Sequence, residues 1–173
     1  MADYAQYDTW YSFISNNTNL WLSWSKVFNP YAYLYSSPKA MWFENVNGPN
    51  SGSMVTGDVV KIRERISGGD FTMICNGGAG QYVRFIGGDP NGQTFGWQLW
   101  ADQNKTPGQA ISLGQTLYVT NASWQSNNFL TQYSGEPQYL TIGGNALTFQ
   151  IRSEGGGLLV DESDIKQAPK QSS

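Results

Sequence analysis

With 173 residues the chain has the length of one domain and can bury most of its apolar surface without disulfides or metals. Ten basic residues against 13 acidic ones, a net charge of −3 and a pI near 4.8 leave no electrostatic footprint for nucleic acid or an anionic membrane. The absence of histidine removes Ser-His and Cys-His nucleophiles, imidazole metal sites and the commonest general base, and a lone cysteine removes thiolate clusters and redox pairs.

Twenty glycines, seven tryptophans, ten tyrosines and eight phenylalanines, with only 13% charged residues, describe a turn-rich all-β chain with an aromatic core and an uncharged polar surface. The opening "MADYAQYDTWYSF" has neither a basic stretch nor an apolar core, so the expectation is a cytoplasmic protein, or one released without a classical signal peptide. No run approaches the ~18 apolar residues of a membrane span. From Thr9 four candidate strands follow in order: "TWYSFISN", "NLWLSW" from Asn19, "YAYLYSS" from Tyr31 and "MWFENV" from Met41. This third of the chain carries Trp10, Tyr11, Trp21, Trp24, Phe28, Tyr31, Tyr33, Tyr35 and Trp42, more than one core layer buries. Two readings are open for the excess: packing beneath the domain, or an apolar patch for a protein partner or a membrane interface.

From Gly57 the pattern begins again with "GDVVKIRERI", "DFTMIC", "QYVRFIGG" and "TFGWQLW". Val60 and Ile62 alternate with Lys61, Arg63 and Arg65, the period of a half-buried strand with a solvated basic face. Cys75 falls in the apolar alternation of its strand and reads as a buried structural thiol. From Gly114 a third copy runs through "GQTLYVTNA", "NNFLTQ", "QYLTIGG" and "LTFQIR". Gly57 and Gly114, Ile62 and Val119, Tyr82 and Tyr139, and Gly87 and Gly144 all stand 57 residues apart, whereas Phe95 and Phe149 stand 54 apart, which places a three-residue deletion in a loop. Clusters such as "GGAG", "GGDPNG" and "SGEP" supply turns, and none carries the lysine of a phosphate-binding loop. No stretch has helical periodicity, and the polar run from Asp161 reads as a flexible tail.

Three pseudo-repeats of four strands, about 9–56, 57–113 and 114–160, form a single domain over 1–160 with a tail at 161–173. This arrangement, with the motif G-x-x-V/L-x-I/V…Q-Y-L/V…F, resembles the β-trefoil, and its repeats look like those of ricin-B-type and fascin-like proteins. The resemblance implies a barrel capped by three hairpins, with Ile62, Val119, Val83, Leu140, Phe95 and Phe149 in its core. The alternative is a β-sandwich of two repeats with an unrelated N-terminal piece.

The carboxylates are scattered about one per loop and none forms an evident acid/base pair, so the expectation is a non-enzymatic protein without cofactors. Sugar recognition needs an aromatic face for the pyranose ring and amide or carboxylate groups for its hydroxyls, and the loops contain both. An Asx residue precedes the second strand of each unit: Asn19, Asp70 and Asn128. Asx at the start of a strand is also a standard turn residue, and for this trio the turn is the favoured reading. Resemblance to ricin-B-type lectins implies that Asp70 works with Trp97 and Gln98, and Asn128 with Trp124. The Q-x-W signature of those lectins occurs once, at Gln98-Leu99-Trp100, where Trp97 and Trp100 also fit as strand residues. Asp89 and Asn91 in "DPNGQ" complete the candidate ligand-binding set, and Trp124 stands out as a tryptophan among polar neighbours. The expected function is lectin-like, with glycans or glycoproteins as partners. A protease inhibitor acting through one loop, and an interaction or toxin module docking through the aromatic N-terminal third, are the alternatives.

Overall fold

The computed structural model describes residues 3–24, 31–66, 69–75, 77–87, 95–124 and 128–153. Within them lie twelve strands and no helix: β1 (Trp10–Ser15), β2 (Trp21–Trp24), β3 (Ala32–Tyr35), β4 (Met41–Asn45), β5 (Val60–Ile66), β6 (Gly69–Ile74), β7 (Arg84–Gly87), β8 (Trp97–Trp100), β9 (Tyr118–Asn121), β10 (Phe129–Tyr133), β11 (Glu136–Gly143) and β12 (Phe149–Arg152). All pair antiparallel in one continuous sheet. The stretch 161–173, read as a tail, lies outside the described residues.

Strand pairing returns on itself. β1 pairs with β4, β4 with β5, β5 with β8 and β8 with β9. A bridge between Leu117 and Phe149 then joins the third unit's two outer strands, and β12 pairs with β1. Such closure leaves these six strands without a free edge. The remaining strands form the hairpins β2–β3, β6–β7 and β10–β11, one per unit.

The backbone repeats itself at three levels along this ring. Asp8, Gly57 and Gly114 all have positive φ, at 52°, 87° and 80°. Their amides donate to Phe43, Leu99 and Ile151 in turn. At one end of the ring Ala5 donates to Ile111, Ile111 to Met54 and Met54 to Ala5, a closed triangle of hydrogen bonds between 2.7 and 2.9 Å. Where the hairpins meet, Ala32 donates to Val83 and Val83 to Leu140. In each set the three residues stand at matching positions of the repeated pattern, Asp8, Gly57 and Gly114 at the start of each copy and Ala5, Met54 and Ile111 three residues before them.

The core follows the same triplets. Phe13, Ile62 and Val119 form one layer, and Met41, Trp97 and Phe149 another; all are buried. Phe13 stacks on Phe149 at 4.9 Å and meets Phe43 edge-on at 5.4 Å. Val83 and Leu140 are buried as expected, but Phe95 is only half-buried and lies under the Lys61 ammonium at 5.1 Å. Its expected core place belongs to Trp97. Bridging sets the register, since Val60 opposes Trp97 just as Leu117 opposes Phe149. The true offset is therefore 52, not 54, and the third unit is shorter by five residues rather than three.

Candidate functional site

The residues expected to bind sugar do not converge. Trp97 is fully buried and its indole N–H donates to the Met73 carbonyl at 2.8 Å, so the ring offers no face to a ligand. Met73 lies in β6, so that strand supplies the acceptor a buried indole N–H needs. Gln98 is half-buried and its side-chain amide holds the Gly57 carbonyl at 3.0 Å, bracing the turn before β5. Asp70, near the start of β6, lies 3.8 Å from the Arg63 guanidinium, which also pairs with Glu44 at 3.1 Å and covers the Trp42 ring at 5.4 Å. The expected solvated basic face is thus partly neutralised by these carboxylates. Asn128 is half-buried at the head of β10. Asp89 and Asn91 lie outside the described residues.

Trp124 is 40% exposed. Its indole N–H donates to the Cys75 carbonyl at 3.2 Å, and its ring lies against Gly78. One ring is therefore anchored at its polar edge and left partly open to solvent. The Cys75 thiol beneath it is buried, and burial pushes its pKa up, away from the reactive thiolate. Of the N-terminal aromatics, Tyr11, Tyr33, Tyr35 and Trp42 are buried, and Trp10 sits edge-on to Trp42 at 4.4 Å; Phe28 lies outside the described residues.

The structure assembles a different site at the hairpin end. Tyr31, Tyr82 and Tyr139 each precede one residue of the Ala32, Val83, Leu140 triplet, and their rings meet over the axis at 4.4 Å, 5.6 Å and 6.0 Å. Tyr133 stacks on Tyr82 at 4.0 Å with the ring planes 9° apart, and Tyr33 meets Tyr139 edge-on at 4.9 Å. Tyr82 donates its hydroxyl proton to the exposed Glu136 carboxylate at 2.5 Å. That bond, first, and then partial burial raise the Tyr82 pKa, because the neutral phenol is the form that can donate.

Beside Tyr133 an open groove of about 400 Å³ runs between residues 79–80 and the β10–β11 hairpin, bounded by 131–134 and 141–145. Its lining contains hydroxyls of Thr131, Ser134 and Thr141, amides of Gln132 and Asn145, the Tyr133 phenol and no charged side chain. Thr131 donates to the Asn145 backbone carbonyl and Gln132 to the Pro137 backbone carbonyl at 3.1 Å, which fixes these two side chains without using all their capacity. Sequence reading missed this site because its two walls are about 50 residues apart. The available signal was the tyrosine shared by the second and third units at matching positions.

Among the described residues no group of histidine, cysteine, aspartate and glutamate could hold a metal ion, and no helix is long and apolar enough to cross a membrane. The fold and site define an all-β protein whose distinctive surface is a cluster of stacked tyrosines, with the Glu136 carboxylate on it and an uncharged groove beside it. No protein-family model matches the chain, and neither does any curated protein sequence. Among solved structures it is similar to a Caenorhabditis elegans protein described as having unknown function, with a TM-score of 0.69, 12% identity, and coverage of 87% of this chain and 97% of that one. It is also similar to the water-soluble chlorophyll protein of Brassica oleracea var. Botrytis with chlorophyll b, with a TM-score of 0.60, 10% identity, and coverage of 86% and 93%. The lysenin pore gives a TM-score of 0.63 at 12% identity over 88% of this chain and 50% of that one. At such identities the likeness is one of fold alone.

Proposed function

We propose that the chain is a β-trefoil that acts as a non-enzymatic, lectin-like carbohydrate-binding protein, with its site at the β10–β11 groove. Closed six-strand pairing, one hairpin per unit and triplets of equivalent hydrogen bonds support the fold. The observation that carries the function is the groove's lining, where a phenol ring stands beside fixed amide and hydroxyl groups with no charge among them. A pyranose presents an apolar face and a rim of hydroxyls, and recognition needs both an aromatic surface and paired donors and acceptors. Tyr133 supplies the first, with its ring held by Tyr82; Thr131, Gln132 and Asn145 supply the second.

The groove also selects for charge. With no cation in its lining and the Glu136 carboxylate on the adjoining strand, it favours neutral sugars over sulfated or sialylated ones. A glycan array of the purified protein, run beside Tyr133→Ala and Gln132→Ala, tests the reading. Selective binding of neutral glycans that falls at least tenfold in both variants, and survives in Asp70→Ala, supports the assigned groove. A blank array overturns the function, and a signal lost only in Trp124→Ala moves the site to that exposed indole.

A further inference from the structure

The tyrosine stack carries chemistry that sugar binding does not use. Tyr82 is the central ring of three, with Tyr31 at 4.4 Å and 21° on one side and Tyr133 at 4.0 Å and 9° on the other. Its hydroxyl already donates to a carboxylate. Phenol oxidation removes an electron and a proton together, because the phenol radical cation is far too strong an acid to persist in water. A phenol with a proton acceptor in place is therefore oxidised more readily than a free one, and stacked rings on both faces spread the electron deficiency. Tyr82 meets both conditions.

We propose that Tyr82 is the preferred one-electron oxidation site of this protein and that its radical couples with Tyr133 to form an intramolecular dityrosine bond. In the first step Tyr82 gives an electron to the oxidant, a peroxidase with hydrogen peroxide, and its hydroxyl proton to Glu136. Tyr133 loses a second electron to the oxidant and its proton to solvent. The two phenoxyl radicals then join through ring carbons ortho to their oxygens, and the hydrogens on those carbons shift to the oxygens to restore both aromatic rings. Two electrons and two protons leave in all, and hydrogen peroxide takes them up as two water molecules. The exposed Glu136 carboxyl returns its proton to solvent.

Geometry explains why these two rings pair rather than another couple. Tyr31 also stacks on Tyr82, but its planes are tilted and its centroid is farther away; Tyr139 meets Tyr82 edge-on at 5.6 Å. Tyr133 sits at the end of β10, where the strand register slips between Gln132 and Tyr133, and both rings are only half-buried. The side chains therefore have the freedom that bond formation demands. A bond here ties the second unit to the third across the hairpin end.

The experiment is peroxidase and hydrogen peroxide at low protein concentration, followed by dityrosine fluorescence and mass spectrometry of a tryptic digest. Tyr82 lies in the fragment 66–84 and Tyr133 in 106–152, so the bond appears as a cross-link between those two fragments in monomeric protein. Tyr82→Phe and Tyr133→Phe, which keep the ring and lose the hydroxyl, each reduce that cross-link at least tenfold. Glu136→Gln, which leaves the phenol without a carboxylate to receive its proton, slows its formation several-fold. Circular dichroism checks that each variant keeps the wild-type fold. Cross-links spread over several tyrosine pairs, products that are chiefly intermolecular, or an unchanged yield in Tyr82→Phe overturn the proposal.

Discussion

Gly57 and Gly114 hold the same position in consecutive units with nearly the same left-handed backbone, yet a methyl group would meet different surroundings at each. At Gly57 an added Cβ falls 2.9 Å from the Pro107 side chain and 3.2 Å from the Trp100 ring, whereas at Gly114 the nearest atom is the Gln150 amide oxygen at 3.8 Å. Gly114→Ala should therefore cost about 1–2 kcal/mol, the price of the left-handed backbone alone. Gly57→Ala should cost clearly more, and paired urea titrations would show the difference. Asp8 holds the third copy of the position because aspartate tolerates this conformation better than most residues. Burial decides another residue. Tyr7 donates to the Asp58 carboxylate, and desolvation, reinforced by that bond, raises its pKa above the ordinary 10.0. Its contribution to stability is complete below pH 10 and declines as pH rises beyond it, since only the ionised phenol in the unfolded chain is favoured there. Thermal melts from pH 9 to 11 should fall more gently above pH 10 in Tyr7→Phe than in the wild type. Trp97 was legible as an aromatic strand residue but not as the core member of its layer. The stretch before it is five residues longer than its counterpart in the third unit, which hides the register, and tryptophan is larger than the methionine and phenylalanine at the matching positions. Trp97→Ala should destabilise by about 3–5 kcal/mol, measured by the same titration.

Within each unit the strands were readable and their junctions were not. Alternation of Val60 with Ile62, or Leu117 with Val119, follows from a strand with one buried face, and no other element produces it over so short a run. The constant spacing of 57 residues was readable for the same reason, since equivalent core positions demand similar side chains. Pairings between units leave no such mark, because a backbone hydrogen bond asks nothing of the side chain. The triangle of Ala5, Met54 and Ile111 is an example: three dissimilar residues, each donating to the next. Met54→Pro would remove one donor and leave the buried Ala5 carbonyl unsatisfied, a loss of at least about 1–3 kcal/mol. Met54→Leu, which keeps the amide, should lose much less, and the pair separates the backbone bond from the side chain in a denaturant titration. The groove was hidden by the same logic, as residues 79–80 reach the β10–β11 hairpin only through the folded arrangement of the units.

For the whole molecule the seam between β1 and β12 matters most. Ser12 opposes Arg152 there, and the Ser12 hydroxyl donates to the Arg152 carbonyl at 3.1 Å across 140 residues of sequence. If the three units are near-equivalent, the seam should be no different in kind from the junctions between β4 and β5 or β8 and β9. A circular permutant with a Gly/Ser linker from the end of β12 to Asp3, which keeps Ala5, Tyr7 and Asp8, and with new ends in the exposed turn 47–52, should therefore keep one cooperative unfolding transition. Two separate transitions in calorimetry would mean that the units are energetically distinct. The seam also has a consequence for synthesis. While the ribosome is still making the third unit, β1 has emerged without the strand that covers its far side, and its apolar residues Tyr11, Phe13 and Ile14 wait with it. The nascent chain therefore presents one sticky edge for most of its translation.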